Sequence, residues 1–188
     1  MKIQGISSAL ALVVLASCGA SNQSDNQMNG GTAVENETLA KLELTSSAFQ
    51  DGGAIPTEFT CEGADRSPPL QWGEPPAGTR SFALVVDDPD APSGTFDHWG
   101  AFDIPPSARG IPAGQSVGAQ TANGFGKSGY GGPCPPKGHG PHHYRFKLMA
   151  LDVHRLGLQA DAKASDVERA AEQHLVGRAK LTGIYERR

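Results

Sequence analysis

Two stretches of this sequence collect side chains that could do chemistry together. The first, "DDPDAPSGTFDHW" (Asp87 to Trp99), puts Asp88 and Asp90 after an apolar run, holds them in a turn with Asp-Pro and Ala-Pro pairs, and returns with His98. The second, "GYGGPCPPKGHGPHHY" (Gly129 to Tyr144), surrounds His139, His142, His143 and Tyr144 with glycine and proline. Imidazole N–H, phenol O–H and backbone N–H groups can together hold an anion without much positive charge. A carboxylate beside an imidazole can orient it and favour its charged form. Asp88 is therefore read as the orienting partner of His98, with a turn cap on the adjacent backbone as the alternative. His98 and His142 are pocket residues or satisfied core histidines. The ring of Tyr144 can be core even if its hydroxyl lines a pocket, and Asp90 can equally be a turn residue. His139 has no assigned role, His174 reads as packing, and His154 belongs to no site.

The familiar catalytic templates do not fit. No His-Glu-x-x-His is present. "GFGKSGYG" has Thr121 where a P-loop needs glycine and Tyr130 where a nucleophile elbow needs it. His142 and His143, being adjacent, point to opposite faces of an extended segment and make a poor chelating pair, so no metal is expected. No nucleophile is identifiable either; an enzyme using Asp88 and His98 as base and orienter is the weakest reading.

Short apolar runs cut by proline and glycine must position these residues: "LELTSSAF", "SFALVVDD", "HWGAFDIP" and "YRFKLMALD". Such runs predict a mainly β fold. "FALVV" (Phe82 to Val86), apolar on both faces, predicts a central covered strand. Tyr144, Phe146 and Leu148 share one face of theirs, with Arg145 and Lys147 opposite. A capping box of Ser165 and Glu168 predicts one helix, ending near Gly177, and "AKLTGIYER" returns to strand. Ten glycines between Gly110 and Gly140 present backbone in place of side chains.

The chain's 188 residues suit one domain with a tail. Lys2 and "ALALVVLA" (Ala9 to Ala16) read as a secretory leader covering residues 1–17, too short to span a bilayer as a mature helix. It ends in "LASC" (Leu15 to Cys18), which resembles the bacterial lipobox and predicts a lipidated, palmitate-bearing Cys18; an ordinary leader is the alternative. Gly19 in place of aspartate then favours the outer membrane, facing the periplasm. Residues 18–41 are polar and read as a flexible tether to a domain over 42–188. Removing the leader takes away Lys2 and no acid, so the net charge of −4 becomes −5; no basic stripe favours nucleic acid. Cys61 and Cys134 remain, an even pair in an exported chain, either a disulfide or two buried thiols.

"DPDAP" followed by His98-Trp99, then "GYGGPCPP", Gly138 and a His-x-Tyr ending, resembles the phosphatidylethanolamine-binding protein family, and its bacterial branch more closely. "TCEGADRSPPLQW" (Thr60 to Trp72) and "LTGIYER" extend the resemblance from Leu42 to the C-terminus. It implies a central antiparallel sheet packed with a smaller sheet and one or two helices. It also implies a small surface pocket for phosphate-like anions, built from Asp88, Asp90, His98, the Gly132–Pro136 backbone, His142 and Tyr144, with the rigid loop converging its N–H groups on the ligand. The ligand would be a phospholipid headgroup, a phosphorylated small molecule or a phosphorylated partner. The rival function is an inhibitor or modulator of another protein. No cofactor is implied, and the resemblance names no protein partner.

Overall fold

The computed structural model describes residues 40–159 and 161–188. Its strands are β1 (Ala40–Lys41), β2 (Leu44–Thr45), β3 (Gly53–Ala54), β4 (Leu70–Trp72), β5 (Ser81–Asp88), β6 (Phe96–Ile104), β7 (Gly110–Ile111), β8 (Ala119–Gln120), β9 (His142–Leu151) and β10 (Leu175–Tyr185). One α-helix, α1 (Ala164–Ala171), precedes β10. The large sheet runs β1-β10-β9-β5-β6-β8, with β3 also paired to β10; the small sheet is β2-β4-β7. All pairings are antiparallel except those of β1 and β3 with β10. The fold is thus the predicted one: mainly β, two sheets, one helix.

β5 is central because it can be buried on both faces. Every residue from Ser81 to Asp88 is buried, as the unbroken apolar run requires. Phe82, Leu84 and Val86 meet Phe146, Leu148, Trp72 and Leu70 in the core between the sheets. Ala83 and Val85 meet Met149, Leu151, Val167 and Ala171 under the helix. β9 alternates as expected: Tyr144, Phe146 and Leu148 are fully buried while Arg145 and Lys147 are half-exposed on the helix side. There Arg145 grips Asp87 with two hydrogen bonds of 2.7 and 2.9 Å, and Lys147 reaches both Asp87 and Glu168 of α1.

The helix differs from its sequence reading in both ends. It starts at Ala164, one residue before Ser165, and its first turn is closed by Asp166, whose carboxylate accepts the Lys163 backbone N–H at 3.0 Å. Glu168, expected to close a capping box, instead turns to Lys147 of the sheet. The helix stops at Ala171, followed by a 3-10 turn (Glu172–His174), and Gly177 lies inside β10. Cross-strand pairing of β10 with β9 overrides the helical periodicity there. Ala40–Lys41, the end of the expected tether, pair with Gly177 and Arg178. Cys18 and most of that tether lie outside the described residues.

Cys61 and Cys134 are disulfide-bonded, with Cα atoms 5.4 Å apart and 73 residues between them in sequence. Closing so long a loop restricts the unfolded chain by about 2–4 kcal/mol. Reductant should therefore lower the melting temperature of the wild type and leave a Cys61→Ala, Cys134→Ala double variant unchanged. Identical melting of the wild type with and without reductant would contradict the bridge.

Candidate functional site

Because β5 runs antiparallel to both β6 and β9, the end of β5 lies beside the starts of the other two. Period-two alternation carries Asp88 of β5, and His142 and Tyr144 of β9, onto the same face as the inter-sheet core. β6 arrives there by a bulge. Val86 pairs with Trp99 and Asp87 with Asp97, leaving His98 as the extra residue. The bulge lets His98 and Trp99 both turn toward that side, a common way of re-aiming a functional side chain.

The result is a cavity of about 190 Å³ lined by Asp88, Ala91, Pro92, Phe96, His98, Phe125, Cys134, Pro135, Pro136 and His142. Asp88, His98 and His142 are each at most 3% exposed. The ring of Phe96 lies tilted against His98 at 5.0 Å, and Phe125 and Tyr144 meet it edge-on at 5.7 and 5.1 Å. A larger hollow beside α1 gathers none of the expected residues.

The hydrogen bonds differ from the expected pairing. Asp88 orients His142, not His98: its Oδ2 faces His142 Nδ1 at 2.7 Å, while its Oδ1 accepts the Asp90 N–H as a turn cap. The turn-cap alternative is therefore filled by one oxygen, while the other orients a histidine different from the one expected. His98 instead donates from Nδ1 to the Gly131 carbonyl at 2.6 Å, and the Gly131 N–H returns a bond to the His98 carbonyl at 2.9 Å. The other nitrogen of His142 lies 2.7 Å from Nδ1 of His139, the histidine without an expected role.

Three of the expected residues do not line the cavity. Asp90 turns outward, where its Oδ2 accepts from the backbone N–H and ring of His143, and this partner holds its carboxyl below the usual range. Gly132 is buried behind the wall, its N–H committed to Asp65 Oδ1 at 2.7 Å. A β-carbon there would sit 2.5 Å from the Phe59 carbonyl oxygen, so this glycine serves a close backbone approach and not an anion. Tyr144 is fully buried, and its hydroxyl has no hydrogen-bond partner among the described residues. Burial, and after it the charge of Asp88, raises its pKa far above that of a free phenol. The loop supplies few donors. Gly131 and Gly132 spend their N–H groups on His98 and Asp65, and Pro133, Pro135 and Pro136 have none.

Phe96, Phe125 and His139 complete the surroundings and carried no assignment from sequence, while Cys134, expected for a disulfide, also lines the cavity. Phe96 was findable, since it stands two residues before His98 on the same strand. Phe125, in a glycine-rich loop, and His139, in a turn, reach the site through loop folding that no periodicity encodes. Among the described residues no cluster of three or more His, Cys, Asp or Glu side chains could hold a metal ion, and no helix is long and apolar enough to cross a membrane.

Against this geometry, the sequence profile described as phosphatidylethanolamine-binding protein matches residues 45–186. A protein of Aquifex aeolicus named UPF0098 is 46% identical over 154 residues, covering 79% of this chain and 90% of the relative. A Mycobacterium tuberculosis protein named as lipoprotein LppC is 41% identical over 188 residues, covering 94% of this chain and 92% of its own. The crystal structure of Escherichia coli YbcL, titled a new member of the mammalian family, superposes with a TM-score of 0.74 at 34% identity, covering 79% of this chain and all of that one.

Burial holds the pKa of His98 below its ordinary 6.5, outweighing the Gly131 carbonyl and the carboxylates of Asp88, Asp87 and Asp65, which favour the proton. Below about pH 6.5 the unfolded chain binds a proton that folded His98 refuses. The neutral ring's contribution to stability is thus complete above that pH and lost as pH falls toward the folded pKa. Melting scans from neutral to acid pH should show a loss that is smaller in His98→Asn, whose amide can keep the bond to Gly131. An equal loss in both proteins would place the acid sensitivity elsewhere.

Proposed function

The chain belongs to the phosphatidylethanolamine-binding protein family, and from that premise we propose that it is a binding protein whose cavity at the ends of β5, β6 and β9 takes a small phosphate-bearing ligand. The observation that carries this reading is the convergence of Asp88, His98, His142 and Pro136, from two separate sequence segments, on one cavity. At about 190 Å³ it suits a headgroup or small metabolite; pockets for larger organic ligands start near 300 Å³. Its walls of Ala91, Pro92, Phe96, Phe125 and Pro135 exclude water and strengthen each polar contact inside.

We further propose that the domain is displayed at the cell envelope by a lipid on Cys18, at the outer membrane. "LASC" supports this, as does a relative that matches nearly the whole chain and is named as a lipoprotein. The anchor would hold the pocket near a membrane without a spanning helix.

Two measurements test these readings. Calorimetric titration with phosphorylethanolamine should show His98→Ala losing about ten- to a hundredfold in affinity, about 1.5–3 kcal/mol, as expected for a hydrogen bond to a charged group, and His142→Ala losing a comparable amount because the Asp88 carboxylate in the lining is left without its imidazole partner. The exposed His154, remote from the cavity, should tolerate alanine without change. Equal affinity in all three variants would move the ligand away from this cavity. For the anchor, membrane fractionation should find the wild type in the pellet and Cys18→Ala in the soluble fraction; a wild type free in the periplasm would refute the lipid.

A further inference from the structure

The cavity that the proposed function relies on is poorly equipped to hold a fully ionised anion. The Gly131 carbonyl can only accept, so the bond of 2.6 Å fixes the hydrogen of His98 on Nδ1. In the neutral ring, Nε2 is then a lone pair, and among the described residues it has no partner. Both nitrogens of His142 are engaged, by Asp88 and by His139. The proline-rich wall lacks N–H groups at Pro135 and Pro136, and the Asp88 carboxylate lies in the lining. A phosphoryl group stripped of protons would therefore meet a lone pair and a negative charge at once, and both repel it.

We propose that the pocket selects phosphoryl groups that still carry a P–OH, binding phosphomonoesters or inorganic phosphate as the singly charged form and discriminating against phosphodiesters. The P–OH donates to His98 Nε2, turning that uncommitted ring nitrogen from an obstacle into a partner. No proton is transferred. A phosphodiester has the same single charge but no hydrogen to donate, so it leaves that lone pair facing an oxygen. An unpaired buried acceptor is the kind of loss that lets a protein reject a near-identical ligand strongly. Intact diester lipids are thereby disfavoured against soluble monoesters.

The groups facing His98 agree with a neutral ring. Asp88 of β5, Asp87 behind it and Asp65 of the loop before β4 all favour protonation, yet burial outweighs them. The neighbours from β9 are neutral Tyr144, at 5.1 Å, and His142, whose Nδ1 is held by Asp88. Phe96 of the same strand and Phe125 of the adjoining loop cover the remaining sides with hydrocarbon. The proton needed for an attractive contact must therefore come with the ligand.

Methyl phosphate and dimethyl phosphate, titrated calorimetrically into the full chain, test this directly. Near the second ionisation of a phosphomonoester, at about pH 6, methyl phosphate should bind at least about tenfold tighter, although the diester is larger and more apolar. By about pH 8 its affinity should fall at least about tenfold as the P–OH ionises, while dimethyl phosphate shows no comparable slope. His98→Asn keeps a donor for Gly131 and deletes the Nε2 position, so the preference should collapse to within about threefold. If that variant does not fold, the two wild-type titrations decide alone. Equal affinities, or a tighter diester, would overturn the selectivity while leaving the pocket in place. Binding of neither compound, nor of phosphorylethanolamine, would overturn the pocket reading as well.

Discussion

The reciprocal pair between His98 and Gly131 is the constraint on which the cavity depends. One residue of the bulged strand and one of the glycine-rich loop exchange two hydrogen bonds, N–H to carbonyl at 2.9 Å and imidazole to carbonyl at 2.6 Å. The first fixes the loop against the edge of β6, so that the wall from Cys134 to Pro136 follows in a set position. The second fixes which ring nitrogen of His98 holds its hydrogen, and so what the ring offers the cavity. A β-carbon at position 131 would come within 2.6 Å of the Phe125 ring, so a larger residue there would push that ring away from the cavity. Architecture and chemical character are thus decided at the same contact.

The loop's rigidity has several independent sources, and none is a nest of donors. The disulfide ties Cys134 to the segment after Phe59, and the Cys61 N–H reinforces it through the Pro133 carbonyl at 3.1 Å. Asp65 draws in the Gly132 N–H, and Tyr130 donates to the Phe59 carbonyl at 2.8 Å. Pro133, Pro135 and Pro136 then remove backbone freedom from the loop, the last two where its wall faces the cavity. Such a wall keeps its shape without a ligand, so less ordering entropy is lost when one binds.

The two faces of the large sheet divide the charged groups by task. On the helix side, Asp87 is matched by Arg145 and Lys147, and Glu168 carries the network onto α1. On the cavity side, Asp88, one residue further along β5, meets the imidazole of His142 and the Asp90 backbone N–H. Neighbouring aspartates thereby serve opposite purposes because successive strand residues point to opposite faces. Gly100 permits this layering: a β-carbon there would lie 3.2 Å from the Ala164 Cα and closer still to Thr121. The helix can therefore pack directly on β6.

Much of this protein was legible in its sequence, for local reasons. The apolar run of β5 and the alternation of β9 follow from side-chain period and burial. The cavity residues Asp88, His98 and His142 could be singled out because proline turns and strand ends bracket them. The family resemblance also placed the correct two-sheet fold. Tertiary structure alone decided the rest. A bulge, invisible to alternation, sets His98 on the cavity side; pairing between distant strands gives Asp88 to His142 and ends the helix at Ala171. Loop closure commits the Gly131 and Gly132 N–H groups elsewhere and brings His139 onto His142. Sequence specifies which groups can donate or accept, but the partner each one finds depends on residues 33 to 67 positions away, where no local pattern reaches.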